Sequence, residues 1–172
     1  MDRERLQAAQ RPIKERYRRD PRAALVTLRA AGELEGDQVA CSVETGRALV
    51  QAGLHPATGG SGMLACSGDM LLQALVACAG VTLRSVATSL EIAVTGTVRA
   101  EGDLDFRGTL GIADEGEAPV GFTAIRLVFE LQGVESKEQL ARLLRLTERY
   151  CVVYQTLAHG VPVTVSCERA GS

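Results

Sequence analysis

Residues 66–87, CSGDMLLQALVACAGVTLRSVA, constrain this chain more than any other stretch. From Met70 to Leu90 only Arg84 carries a charge. A helix that is apolar nearly all round has no face to offer water and must be covered from every direction. One sheet cannot do that, so the segment calls for several layers, a partner subunit supplying one of them. Ser67 reads as the helix N-cap, and Asp69 falls in the first turn, where a carboxylate suits the dipole. Cys78 stands near the centre between Ala77 and Ala79, which keep bulk away from the thiol. By residue type alone it is a small core residue, since free cysteine is among the most buried side chains.

With 172 residues the chain is long enough for one domain with its own core. A net charge of −2, no Trp and 3% aromatics supply neither a field for phosphates nor platforms for stacked bases. Nucleic acid is set aside as a partner. The N-terminus lacks an apolar signal core, and no apolar run is read as long enough to span a bilayer. The expectation is a cytoplasmic protein with no membrane partner. Five cysteines, at 41, 66, 78, 151 and 167, include no CxxC pair, which argues against a secreted disulfide framework and against zinc. No metal and no cofactor are expected. A reducing cytosol disfavours a structural disulfide and permits a catalytic one.

Along the chain, residues 1–22 read as a charged helical arm, interrupted at Pro12 and packing on a neighbour, ahead of a single domain over 23–172. ALVTLRA and QVACSVE alternate like strands about a turn at Gly32 to Gly36. HPATGGSG (55–62) is glycine-rich but has neither a P-loop lysine nor GxGxxG order, so it is a connector. IAVTGTVRA and LDFRGTLGI predict two strands joined by a hairpin turn at Glu101-Gly102-Asp103. TAIRLVFEL puts Ile125, Leu127, Phe129 and Leu131 on one face. SKEQLARLLRLTERY has Ser136 and Gln139 as a capping box and Leu140, Leu143 and Leu144 as its apolar stripe. VPVTVSC predicts a closing strand. Hairpins rather than regular βαβ units place the chain in the α+β class.

The second cysteine segment, ERYCVVYQTLAHG (148–160), sets Cys151 between the amphipathic helix and a further helical segment ending near Gly160. LVACAGVTL and RYCVVYQTL, in this order and separation, resemble the two cysteine motifs of the OsmC/Ohr family of thiol peroxidases. The resemblance runs from about Leu25 to Cys167. It implies an OsmC-like α+β fold, with antiparallel sheets wrapped around central helices in an intertwined homodimer and active sites near the subunit interface. It further implies that Cys78 attacks the peroxide, that Cys151 resolves the sulfenic acid as a Cys78–Cys151 disulfide, and that a dithiol such as a lipoyl protein reduces it. Organic hydroperoxides would be favoured over hydrogen peroxide, because an apolar pocket buries the alkyl tail. Family members of the hydroperoxide-resistance type begin the first helix with proline and glutamate, the glutamate positioning an activating arginine. Here the place reads Ser67-Gly68-Asp69, and Asp69 is either that substitute or a dipole partner only. Arg29 and Arg47 are both candidates for the arginine, and Val152 stands where a proline often follows the second cysteine.

Two rivals differ in class. A non-catalytic OsmC-like protein would bind an apolar small molecule in the dimer-interface pocket, since an unactivated thiol is a poor nucleophile at neutral pH. A Cys/His hydrolase using Cys151 and His159 fails on reach, because eight helical residues separate them by about 12 Å. His55 has no partner that sequence can name. Cys41, Cys66 and Cys167 are explained by packing, with Cys66, just before the helix, a candidate for an extra redox thiol.

Overall fold

Helix α2 (Ser67–Ser89) is the axis of the fold. The computed structural model describes residues 3–34, 42–43 and 52–166. Around α2, in chain order, lie α1 (Arg3–Arg19), β1 (Leu25–Leu34), the short β2 (Ser42–Val43), β3 (Ala52–Gly53) and β4 (Ala65–Cys66). After α2 come β5 (Thr95–Asp105), α3 (Phe106–Leu110), β6 (Phe122–Gln132), α4 (Lys137–Tyr150) and α5 (Val152–His159). The main sheet is antiparallel, in the order β2-β1-β5-β6, and β3 and β4 form a small parallel pair. The class is α+β with an antiparallel sheet, as the hairpin-rich pattern predicts.

Alternation along β5 and β6 decides which side of the sheet α2 covers. Val98, Ala100 and Leu104 are buried, and they pair or neighbour Phe129, Leu127 and Ile125 of β6 in register. The intervening residues face out and pair by charge: Arg126 bonds Asp103 at 2.5 and 3.0 Å and reaches Glu101, while Arg99 pairs with Glu130. The period of two therefore separates a core face from a solvated one. Leu72, Leu75, Val76, Ala79, Leu83 and Ala87 turn the buried side of α2 onto this core. Its one basic residue is accommodated because Arg84 donates to the carbonyl of Val94 at 2.8 Å.

Several local expectations are corrected. Glu101-Gly102-Asp103 is not a hairpin turn, and β5 runs straight through it. Gly102 is there because the ring of Phe122 lies where a Cβ would be, so a glycine that imitates a turn signal is a packing notch. The predicted strand LDFRGTLGI ends at Asp105, whose carboxylate accepts the Arg107 amide at 3.0 Å and caps α3. Helix α1 continues through Pro12. The lost backbone bond costs roughly 3 kcal/mol, offset by Tyr17, which is fully buried in the core, with Ile13 packed beside it. The N-cap of α2 is Cys66, with Ser67 already helical. Gly32, Glu33 and Leu34 lie within β1, where Gly32 pairs with Val43 and Glu33 with Ser42 instead of forming a turn, and the rest of the expected turn and of QVACSVE falls outside the described residues.

At the C-terminal end, residues 161–166 form no strand, and Val161, Val163 and Val165 are exposed. Alternating valines become a strand only where a sheet edge accepts them, and the described chain brings none to this segment. Helix α2 is also, by length and composition, able to cross a membrane, contrary to the sequence reading. Its packing against β1, β5, α4 and α5 uses it as a core helix. Half of the capping box of α4 forms: the Gln139 amide donates to Ser136 Oγ at 3.1 Å, while Gln139 Oε1 accepts from the Glu135 amide at 2.8 Å rather than from that of Ser136. Of the predicted stripe, Leu143 is fully buried.

Candidate active site

Cys78 sits half-buried at the middle of α2. Cys151 is fully buried at the junction of α4 and α5, where it ends one helix and begins the next. Its Sγ accepts a hydrogen bond from the Tyr154 amide at 3.5 Å, which is the N-cap position of α5. Both α4 and α5 pack on α2, and this carries the second cysteine to the first. The two thiols are close enough for each to act on the other's titration. The structure thus brings together the two residues that the sequence motifs single out.

Their environments push the thiols apart. Burial works to raise the Cys78 pKa, but the Val153 amide, the Cys151 thiol, the Val152 amide and the Thr82 hydroxyl all bond to its sulfur. Together they hold it below the ordinary thiol value. Burial dominates at Cys151 and pushes it up to about 11, against the pull of the Tyr154 amide. The result is one sulfur disposed to be a thiolate beside one that stays protonated. A low-pKa thiol next to a protonated one is the arrangement needed for attack followed by condensation.

Among the residues whose side chains are described, no cation acts on Cys78. Arg29 lies on β1, its Cα opposite Glu101, and Arg47 is outside the described residues. Asp69 is in the first turn of α2, nine residues and about 13 Å along the axis from Cys78. Within one chain it does not reach that thiol. Its pKa is raised by burial, with His55 acting in the other direction. His55 stacks on Phe106 with ring centroids 4.8 Å apart, and its Nδ1 accepts the Ala57 amide at 3.0 Å. This histidine therefore belongs to the end of α2 that holds Asp69.

Cys66 is half-buried at the N-cap of α2, roughly 18 Å from Cys78 by helix rise, too far for a bond between them. Cys41 and Cys167 lie outside the described residues. His159 is exposed at the end of α5, its Nδ1 3.2 Å from the Gln155 carbonyl.

Sequence reasoning missed Thr82 and the Val152 and Val153 amides. A hydroxyl four residues beyond Cys78 on an apolar helix was the available signal for the first. A helix beginning just after Cys151 was the signal for the second. Two open grooves flank the site. One, of about 700 Å³, lies between β6 and the α4–α5 pair and is walled by Leu75, Phe122, Phe129, Tyr154 and Leu157. The other, of about 490 Å³, includes Val81, Thr82, Ser85, Leu146 and Tyr150. Each begins within one turn of Cys78 on α2, at Leu75 and at Thr82.

A model of the family described as OsmC-like protein matches residues 60–166, a span that contains both cysteine helices. No curated protein matches the chain. Among solved structures, the fold is similar to that of an OsmC-like hydroperoxide resistance protein from Jannaschia sp. CCS1, at 15% identity and a TM-score of 0.52, covering 81% of this chain and 91% of that one. The family match extends over well over half of the sequence and includes both thiols that the structure joins: the chain belongs to the OsmC-like protein family.

Proposed function

We propose that this protein is a cysteine-based peroxidase that reduces organic hydroperoxides, and hydrogen peroxide less well. The observation that carries the reading is the Cys78–Cys151 pair, brought together by the packing of α4 and α5 on α2 and oppositely shifted. The Cys78 thiolate attacks one peroxide oxygen and the O–O bond breaks. The alkoxide leaves, taking a proton to become the alcohol, and Cys78 becomes a sulfenic acid. The Cys151 sulfur then displaces hydroxide from it, giving water and a Cys78–Cys151 disulfide. A dithiol, a lipoyl protein being the expected class, donates two electrons and two protons to restore both thiols. The name of the Jannaschia protein supports a peroxide-related role.

The working form proposed is a homodimer in a cytoplasmic setting. Leu71, Ala74, Val81, Ser85 and Thr88 are among the exposed residues of α2, spaced three and four apart with Cys78 in their line. Leu71 and Val81 are 37% and 39% exposed, which is unfavourable for a lone chain in water. A second copy laid on this stripe would cover the helix and close the approach to the thiol. Arg29 or Arg47, and Asp69, would then have their supporting roles from the same chain or its partner.

A second reading, binding of an apolar small molecule without turnover, is favoured by the apolar groove beside β6. Consumption assays with an organic hydroperoxide and with hydrogen peroxide, using dihydrolipoamide as reductant, decide between them. Turnover of the organic peroxide that is lost in Cys78→Ser supports the peroxidase. No turnover by protein whose Cys78 is reduced supports the binding protein.

A further inference from the structure

We propose that Glu148 gives the groove beside β6 a charge preference: it admits uncharged organic hydroperoxides and turns away those whose chain carries a carboxylate. The inference deepens the peroxidase reading, on which it rests for the reaction, by naming the charge class of the substrate.

The groove is placed to hold a substrate's chain. Leu75 in its wall lies three residues, about 4.5 Å of helix rise, from Cys78 on α2. Tyr154, in the wall from α5, donates its backbone amide to Cys151 Sγ at 3.5 Å. The groove therefore borders both elements that carry the thiols. Its volume of about 700 Å³ and its walls of Phe122, Phe129 and Leu157 suit a hydrocarbon chain. Burying such a chain is favourable in proportion to its apolar area.

Among the described residues, Glu148 is the one charged member of that wall. It stands on α4, three residues before Cys151. Its backbone carbonyl accepts from Gln155 Nε2 at 2.8 Å, which ties α4 to α5, and no described residue pairs with its carboxylate. The arginines of the flanking elements do not supply a partner. Arg149 lies over the Tyr150 ring at 5.3 Å, and Arg142 and Arg145 are outside the wall. Arg126 of β6 bonds Asp103 on the solvated face of the sheet. A carboxylate on the substrate's chain would lose water, find no cation and meet a like charge. A plain alkyl chain or an ester meets none of these costs.

The test compares two substrates that differ by one charge and a methyl group. Full-length protein, with dihydrolipoamide as reductant, is assayed on 6-hydroperoxyhexanoic acid and on its methyl ester. The parental kcat/KM should favour the ester by at least about tenfold. Glu148→Gln should shrink that ratio roughly threefold and Glu148→Lys roughly tenfold, both effects fading as salt is added. Glu138→Lys, an equal change of charge in the first turn of α4 and outside the wall, should leave the ratio at the parental value. The groups that act on the two thiols do not include Glu148, so the ratio reads the groove and not Cys78. Equal use of acid and ester by the parental protein, or a ratio that neither Glu148 variant moves, overturns the inference. Calorimetric titration with decanol and decanoate separates it from the peroxidase reading. If no peroxide is consumed, yet decanol binds more tightly than decanoate and Glu148→Lys closes the gap, the groove's preference stands and the peroxidase reading falls. Equal affinities with no consumption remove both.

Discussion

Tyr17 and Ala57, 40 positions apart, are joined by a hydrogen bond of 3.0 Å from the phenolic hydroxyl to the backbone carbonyl. The ring is fully buried, so the charged N-terminal helix is docked through one aromatic anchor onto the connector that precedes α2. Tyr17→Phe, which leaves the ring and removes one bond, should cost about 1 kcal/mol. Tyr17→Ala should cost about 3–5 kcal/mol. Urea denaturation checks both, and a wild-type midpoint for the alanine variant would show that the helix is not docked.

The unequal thiols predict a pH signature. Near neutral pH, alkylation should label Cys78 well before Cys151, as peptide mapping would show. The linkage follows from the directions. Cys78 is depressed in the folded state, so its contribution to stability is present above the unfolded thiol pKa and is lost as pH falls through the folded one. Cys151 is raised to about 11, so its contribution is present below the unfolded value of 9.0 and is lost as pH rises toward 11. Reduced protein should therefore lose stability between those two values, and Cys151→Ala should flatten that limb of the curve.

One equivalent of organic hydroperoxide should link Cys78 to Cys151 and leave Cys41, Cys66 and Cys167 reduced. Non-reducing peptide mapping tests this pairing. Cys151→Ser should stop at the sulfenic acid, trapped by dimedone on Cys78. A Cys66–Cys78 peptide would refute the helix geometry, which holds those thiols about 18 Å apart.

Gly102 should tolerate no side chain. A Cβ there meets the ring of Phe122 and comes within 3.3 Å of Leu72 Cδ2, inside the packed face of the sheet. Gly102→Val should destabilise by roughly 1–3 kcal/mol through overpacking, and Phe122→Ala in the same chain should recover part of the loss. Thermal unfolding of the single and double variants gives the coupling.

If the exposed stripe of α2 joins two copies, a charge in its middle should separate them. Val81→Arg should convert a dimer into a monomer by multi-angle light scattering at micromolar concentration, because a buried unpaired guanidinium is costly. A wild-type mass for that variant would move the interface away from α2.

The α+β class, helix α2, strand β6 and the capped helix α4 were all legible in the sequence. Each is specified by local periodicity and capping: an apolar run for α2, alternation at Ile125, Leu127 and Phe129, and the Ser136–Gln139 box. The pairing of Cys78 with Cys151 was legible only through the resemblance to a family, since no spacing in one chain says that two distant helices meet. Local signals misled where a residue serves a distant neighbour. Gly102 imitated a turn because its lack of a side chain makes room for Phe122, and Pro12 imitated a helix break because the docking of Tyr17 is not local. The unequal thiols were decided by tertiary structure alone. They depend on where α5 points its first amides, and a thiol takes its pKa from the donors and the burial around it, not from its neighbours in sequence.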